Sequence, residues 1–498
     1  MDTAAEVAAP AGKRALSPNW LLVAVGFAVF LGAMDQMVVV TLLEPIMNGV
    51  HVPLDQFYRA AWVINGYILG YVVAMPLMGR IADIYGHSRI FLLALAVFLI
   101  GSLWVSACQS LNMLIVARAV QAIGGGALVP VSMAIVADYL PAERRAVGLG
   151  FLGAAAEGGG LFGPLWGGSW VQLLGWRGHF WINVPLCVPI VVIVLMFMAR
   201  SGEKRAEKTS VDYVGGLLLG GALTCLAVAL TDDPVHGRPV AVNVALYLGA
   251  VLFGASFFLR ERLAKVPMIM LSLFRSRPFA AGNLTHLLMG GALIVAMVDI
   301  PVFTIIVMKG SYFDGGLNLM RLTVMLPVGA VLGGFLAGWL GFHRTTALGM
   351  LISGAGFFLM TFWTENVHDP LFTLNLLLTG LGFGLVIAPI SASVINAVAE
   401  HQRATASALL TVMRLVGMLI GVALLTSRGL GSFYQQAGGI ALDSPEYKKL
   451  LTGLEVSTFT DTFRAAAVVC MLALIPALLI GRGVVRRFRW TEIWRAPH

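Results

Sequence analysis

The sequence predicts an all-α polytopic membrane protein of fourteen transmembrane helices, built as two six-helix bundles plus two additional helices between them. Three observations predict it. Of the 498 residues, 58% are hydrophobic and only 12% charged, with a mean hydropathy of +0.87, whereas soluble domains carry about 25% charged residues. The apolar residues recur in runs of roughly twenty, the length that crosses a bilayer core. The chain also repeats itself internally at a fixed offset. Together these exclude an ordinary soluble enzyme. They also exclude disorder, which needs low hydrophobicity and high charge.

The apolar segments fall at about 19–49, 57–78, 89–108, 111–137, 146–171, 180–199, 211–231, 240–260, 279–308, 317–340, 346–363, 371–399, 406–427 and 463–481. Residues 1–18, with Lys13 and Arg14, are too polar for a cleaved signal peptide and read as a cytoplasmic tail. The first six segments form an N-terminal bundle over 19–199. Residues 200–278 hold two extra spans and a linker marked by Pro267 and Pro278, 279–481 form the C-terminal bundle, and 482–498 form a second cytoplasmic tail. Fourteen is even, so both ends share a side. Placing them inside puts 22 of the 33 basic residues in cytoplasmic loops and tails, nine outside, and Arg118 and Arg414 within spans. Cytoplasmic loops collect Lys and Arg, so the expected location is a bacterial inner membrane with both termini cytoplasmic. The same asymmetry explains the net charge of +8. No basic-aromatic stripe suggests nucleic acid. The four cysteines lie in or beside apolar runs without CxxC spacing and read as small hydrophobes, not a disulfide framework or metal site.

The repeat aligns 121–163 with 379–421, without a gap, at an offset of 258. Gly124 matches Gly382, Gly126 matches Gly384, Arg145-Ala146 matches Arg403-Ala404, and Gly159 and Gly163 match Gly417 and Gly421. Spans 4–5 and 12–13 are therefore equivalent, leaving spans 7 and 8 between the halves. Internal repeats with a site at their interface characterise secondary transporters. The longest outer segment, 428–462, has a helix-start signal at Ser444-Pro445-Glu446. Thr458 and Asp461 read as a weaker capping pair before the last span. Spans 13 and 14 are expected to project beyond the membrane here and to offer a dock for a periplasmic protein, the alternative being a solvated loop.

Between spans 2 and 3 stands Gly79-Arg80-Ile81-Ala82-Asp83-Ile84-Tyr85-Gly86-His87-Ser88-Arg89. It resembles the inner-loop signature of the major facilitator superfamily. Arg118-Ala-Val-Gln121-Ala-Ile-Gly124 is similar to the span 4 signature. Glu157-Gly-Gly159-Gly-Leu-Phe-Gly163-Pro164-Leu-Trp-Gly167-Gly168 resembles the span 5 signature of antiporters. Trp176-Arg177-Gly-His-Phe180-Trp-Ile182-Asn183-Val-Pro185 is similar to the span 5–6 turn of the fourteen-span drug:proton antiporters. The resemblance implies a major facilitator fold and gating by Gly79, Asp83, Gly86 and Arg89. Ile84, His87 and Ser88 depart from the usual basic pattern, and the second-half copy Gly338-Trp-Leu-Gly341-Phe-His-Arg344 lacks the Asp. The run Asp35-Gln36-Met37-Val38-Val39-Val40-Thr41, with Val298-Asp299-Ile300-Pro301, is more similar to the mycobacterial triacylglyceride exporters of the same branch, which are also implicated in drug efflux.

The ionisable residues in spans carry their own argument. A carboxylate at bilayer depth costs at least ~2.5 kcal/mol on insertion scales, so Asp35 must face a cavity, find a partner or bind a proton. It is the first choice for proton coupling, a fixed ion pair being the alternative. Glu157 lies among small residues that let helices approach, and its repeat position, 415, neighbours Arg414. The two are expected to pair across the halves, as a switch or as a static bridge. Arg118 is expected near Asp35 or on backbone carbonyls. Asp299 is a second proton site or an exposed helix-end acid, and Glu44 is at the outer mouth. Pro164 removes a backbone donor and kinks its helix, which would seal one end of the bundle. Asp83 either caps its own helix or locks the inner side against the other half.

No GxxxxGK[ST] phosphate loop is present. The expected activity is secondary active export of lipophilic compounds, multidrug-efflux type, by proton antiport and alternating access. The proton is the coupling ion and no other cofactor or metal is implied. Met37, Met133, Met289, Met297 and Met325 are candidate cavity walls. The alternative is export of a triacylglyceride-like lipid to a periplasmic partner. An intramembrane enzyme is disfavoured, since no HExxH or GxSG lies in a span, and a channel lacks rings of like residues. A monomer is expected.

Overall fold

The computed structural model describes residues 18–53, 56–140, 142–201, 211–231, 237–264, 267–399, 402–425 and 447–482. Nearly all of both predicted tails, and the signal at Ser444-Pro445-Glu446, lie outside them. All regular structure among the described residues is helical. The first half comprises α1 (Pro18–Gly49), α2 (Phe57–Tyr85), α3 (His87–Ala107), α4 (Leu111–Tyr139) and the long run Ala142–Ser201. That run is broken at Gly175, where φ is 68°, into arms α5 (142–174) and α6 (176–201). A hairpin of α7 (Tyr213–Leu230) and α8 (Val240–Leu263) follows. The second half comprises α9 (Arg277–Ile306), α10 (Tyr312–Leu340), α11 (Phe342–Met360), α12 (Leu371–Asn396), α13 (Arg403–Leu424) and α14 (Tyr447–Leu479).

Twelve of these elements are long and apolar enough to cross a membrane, against the fourteen expected. Two features account for the difference. The Val147–Met198 stretch counts once although its 52 residues, at ~1.5 Å rise each, exceed twice a ~30 Å core. The 19-residue α11 begins with Phe342, His343 and Arg344, and this polar start takes it below the apolarity of the others.

The repeat governs the packing, because matched glycines sit at matched helix crossings. A side chain on Gly124 would strike the backbone of Phe98 on α3, and one on Gly382 the backbone of Ser353 on α11. Gly163 lies against the Met34 carbonyl of α1, and Gly421 against the Gly291 carbonyl of α9, a Cβ meeting either oxygen at 2.7 Å. The inner turns correspond too. Gly86 (φ 100°) and Gly341 (φ 81°) each return their N–H to a carbonyl four residues back, Ala82 and Ala337. Left-handed φ is why a glycine stands at each.

The α7–α8 hairpin packs on α2, where Gly216 meets Leu77. One end of it is latched. Asp212 accepts from Gly215 N–H at the start of α7 and pairs with Arg260 Nε at 3.2 Å. Arg321 of α10 reaches Asp369 (3.0 Å) and Thr373 (2.6 Å) at the start of α12. The Thr373 hydroxyl and Arg321 hold the Asp369 carboxyl below the usual carboxylate range. The last helix begins at Tyr447, ahead of the expected 463. Thr458 and Asp461 are therefore helix-interior residues, not caps. Thr458 donates back to the Leu454 carbonyl and Asp461 pairs with Arg464. The 33 residues of α14 span ~50 Å, longer than a bilayer core.

Gly163→Ala and Gly421→Ala are each expected to cost about 1–3 kcal/mol through overpacking, read as a lower melting temperature of the detergent-solubilised protein. Gly153→Ala, where an added Cβ meets nothing within 4 Å, is expected to be neutral or to gain up to ~1 kcal/mol of helix propensity. Equal losses at all three positions would refute the crossing argument.

Candidate functional site: a sealed carboxylate and a seam ion pair

Asp35 lies at the centre of α1 with no solvent exposure. Its carboxylate is surrounded by donors from two other helices. Arg118 of α4 reaches Oδ2 through Nη1 at 2.5 Å and the Asp35 backbone carbonyl through Nη2 at 3.2 Å. Gln121, one turn on, donates from Nε2 to Oδ1 at 3.0 Å and accepts from Arg118 Nη1 at 2.8 Å. Asn183 of α6 donates from Nδ2 to Oδ1 at 3.1 Å and to Ser102 Oγ of α3 at 3.0 Å. The His179 ring stands one turn earlier, its Nε2 3.5 Å from Oδ1. Aromatic rings close the site, with the Arg118 guanidinium 4.1 Å from the Tyr67 centroid and 5.6 Å from that of Phe180. Such stacking favours a desolvated cation.

The expectation that Arg118 stands near Asp35 is met. Of the outcomes open to Asp35, the structure shows a partner rather than a cavity: three donors, the His179 ring and two aromatic rings fill the space around it, all from the N-terminal half. Sequence reasoning did not assign Gln121, His179 or Asn183 to the site. The available signal was their spacing, 118/121 and 179/183, which sets each pair on one helix face.

Glu157 and Arg414 occupy the seam between the halves. Both terminal nitrogens of Arg414 on α13 lie 3.3 Å from Glu157 Oε1 on α5, with side chains 21% and 44% exposed. The glycine-rich stretch of α5 serves two neighbours. Gly159, Gly163 and Gly167 pack on α1, while Gly168 lies against the Tyr312 carbonyl of α10. Reciprocally, Gly316 of α10 lies against the Pro164 carbonyl, and Tyr312 is hydrogen-bonded to Glu44 of α1. The halves are thus tightly apposed at the ends of α5 and α10 assigned to the outer side. The C-terminal stretch of α10, with Val331, Phe335 and Trp339 exposed, stands apart from the start of α5, whose Val147 and Phe151 are also exposed.

Asp299 is buried, not an exposed helix end, and accepts from Thr462 of α14 at 2.5 Å. Beside it, α13 and α14 each lean on α9 and leave a lateral groove of about 580 Å³. Aliphatic residues line it, with Thr458, Asp461 and Thr462 as its polar end. Asp83 bonds within its own half: His87 bridges it (Nε2–Oδ1 3.1 Å) to Asp138 (Nδ1–Oδ2 2.5 Å). With a carboxylate on each nitrogen, His87 supplies the positive charge expected of this loop. Gly79 makes an ordinary contact with Pro130, and Arg89 opens α3 beside His87. Met37, Met289 and Met297 are core packing, not cavity wall.

Residues 25–422 match the family model described as Major Facilitator Superfamily. The chain is 35% identical over 489 residues to a protein named triacylglyceride transporter from Mycolicibacterium smegmatis, covering 93% of this chain and 87% of the relative. It is 35% identical over 480 residues to one so named from Mycobacterium tuberculosis, covering 91% and 92%. Among solved structures it resembles a bacterial homologue of the human lysosomal transporter Spinster, with a TM-score of 0.63, 17% identity, and coverage of 93% and 96%. That last likeness concerns the fold alone.

The two ion pairs are expected to differ in worth. Arg118→Leu strands a buried carboxylate and is expected to cost about 3–5 kcal/mol. Asp35→Asn/Arg118→Gln is expected to regain part of that. Glu157→Gln, in a water-accessible pair, is expected to change stability by less than ~1 kcal/mol. Thermal unfolding of the purified variants measures all three.

Proposed function

The chain belongs to the major facilitator superfamily, is a multi-pass transporter and not an enzyme, and from that premise we propose that it exports a triacylglyceride-like neutral lipid by proton antiport. The observation that carries this reading is the identity of 35% over 93% of the chain to a protein named triacylglyceride transporter. Three features of the molecule support it. Two of the acids in spans already have cations, Asp35 in Arg118 and Glu157 in Arg414, and the buried Asp299 accepts from Thr462. That weakens the case for a cationic cargo over a neutral one. The separated inner stretches of α5 and α10 present apolar side chains where lipid can enter from the side. The α9–α13–α14 groove offers an apolar trough with a polar end, matching a molecule with long chains and ester oxygens.

In this proposal the chain crosses a bacterial inner membrane fourteen times, α5, α6 and α11 each counting once, with both termini cytoplasmic. The projecting start of α14 supports delivery to a periplasmic partner along 428–462. Protons drive the cycle through Asp35. The Glu157–Arg414 pair, being the one that crosses the seam, makes and breaks as the halves rock. Asp299 is a secondary proton site and Asp83, with Gly86 and Arg89, the inner gate. Removing one partner of a seam pair biases the conformational equilibrium by its differential interaction with the two states.

The test is transfer from proteoliposomes carrying labelled triacylglyceride and, separately, a lipophilic cationic dye, with and without a pH gradient. The gradient is expected to accelerate lipid transfer, and Asp35→Asn to abolish that acceleration. Glu157→Gln is expected to slow it by at least about tenfold, equal to ~1.4 kcal/mol. Dye movement with no lipid transfer would sink the lipid reading. Gradient-driven lipid transfer by Asp35→Asn would sink the coupling assignment.

A further inference from the structure

We propose that His179 is the proton relay of the Asp35 site, holding the coupling proton and passing it to Asp35 Oδ1. The inference rests on the proton-antiport reading above. Three observations carry it. The imidazole is completely buried, and among the described residues neither ring nitrogen makes a hydrogen bond. A buried polar group left unbonded costs stability and calls for a reason. Its Nε2 is 3.5 Å from Asp35 Oδ1, one small shift from hydrogen-bond length. And His179 sits four residues past the break at Gly175, about 6 Å along α6, on the side assigned to the outer face. A proton arriving from outside meets the ring before the carboxylate.

The other members of the site cannot do this work. Arg118 stays charged at any accessible pH. Gln121 and Asn183 are amides that neither gain nor lose protons, and Ser102 is spent donating to the Phe180 carbonyl at 2.8 Å. The charged group recorded against the ring is Asp35 from α1, itself paired with Arg118 from α4. On its own helix, Arg177 is turned to the Cys108 carbonyl at 2.9 Å. Imidazole is the one side chain among them whose ordinary pKa falls between 5 and 8.

The step balances simply. The Nε2–H bond of the imidazolium breaks, an O–H bond forms at Asp35 Oδ1, and the positive charge on the ring disappears with the negative charge on the carboxylate. The neutral ring keeps its remaining proton on Nδ1 and reloads at the freed Nε2. Asp35, once neutral, no longer holds Arg118 by charge, so the network around α1 loosens. His179 thus sets when the carboxylate is neutralised, while Asp35 remains the group whose charge the helix responds to.

The experiment compares wild type, His179→Gln, His179→Asn and Asp35→Asn in proteoliposomes, as lipid transfer driven by an imposed pH gradient across outer pH 5.5–8.5. Wild-type transfer is expected to change with outer pH. Both His179 variants are expected to lose about 10²-fold or more, the scale of a missing proton-transfer group, and to show a flat profile. In parallel, ring-nitrogen resonances of histidine-labelled wild type are expected to include one titration absent from His179→Gln and displaced in Asp35→Asn, which needs no transport. Wild-type rate and profile in both His179 variants, or a His179 resonance that does not titrate, would overturn the relay. Should Asp35→Asn retain gradient-driven transfer, the antiport reading itself falls. Should Asp35→Asn lose it while the His179 variants keep it, only the relay falls.

Discussion

The desolvation cost of the Asp35 carboxylate shapes the N-terminal half. A bare charge at that depth is untenable, so α4 must bring Arg118 and Gln121, and α6 must bring Asn183, to the same point on α1. Three helices are thereby fixed in rotation about their axes, because a turn of one residue would swing a donor away. Tyr67 completes the enclosure from α2, its hydroxyl donating to the Gly32 carbonyl at 3.2 Å. Such a site contributes little net stability over an apolar core of the same shape. What it provides is a charge state that can change, in a place where a change of charge is felt.

The glycine crossings provide the complementary property, rigidity of contact. Where α5 lies on α1, and α13 on α9, backbone meets backbone with no side chain between. Small residues let helices approach in this way, and close-packed surfaces transmit displacement without absorbing it. The same stretch of α5 that touches α1 through Gly159, Gly163 and Gly167 touches α10 through Gly168. Function and packing therefore share one helix, and the antiporter-type motif reads physically as two contact faces set one residue apart.

Much of this was legible in the sequence, and what was not has identifiable causes. Apolar runs located the helices, and the offset of 258 paired the glycines, because period and spacing are local properties. Arg118 near Asp35 followed from charge scarcity, since in an apolar chain few partners exist, and Arg414 near Glu157 followed from the repeat. The fully enclosed state of Asp35 was not legible, since His179 and Asn183 come from a helix 148 residues away and only folding places them. Asp299 looked like a helix-end acid because its partner, Thr462, is equally remote. Asp83 looked poised for the other half, but the left-handed turn at Gly86 returns His87 to it. The sequence count of fourteen and the twelve helices long and apolar enough to cross a membrane differ at Gly175, a break without a polar loop, and at α11, with its charged first turn.

The two charge pairs stand in different mechanical positions, and this constrains any account of coupling. Asp35 and all its donors belong to one half, so rocking the halves as rigid bodies neither exposes nor separates them. Glu157 and Arg414 belong to different halves, so the same motion must stretch or part them. In the proposed cycle the proton therefore cannot act by simple exposure of Asp35. It has to alter the packing of α1, which reaches the seam through the glycines of α5, to Pro164 and Gly168, to Tyr312 and Gly316 of α10, and through its own contacts with α9 and α10. A coupling path earns that name only when a two-state element is biased at both ends. Here the element is the α5–α10 contact, with the carboxylate network behind one side of it and the Glu157–Arg414 bridge on the same helix about two to three turns away. Neutralising Asp35 relaxes the hold on α1, and that loosening favours whichever seam geometry α5 then adopts. A neutral lipid adds no charge to this balance, so proton and cargo need not compete for one carboxylate, and cargo influences the cycle through shape at the α5–α10 mouth.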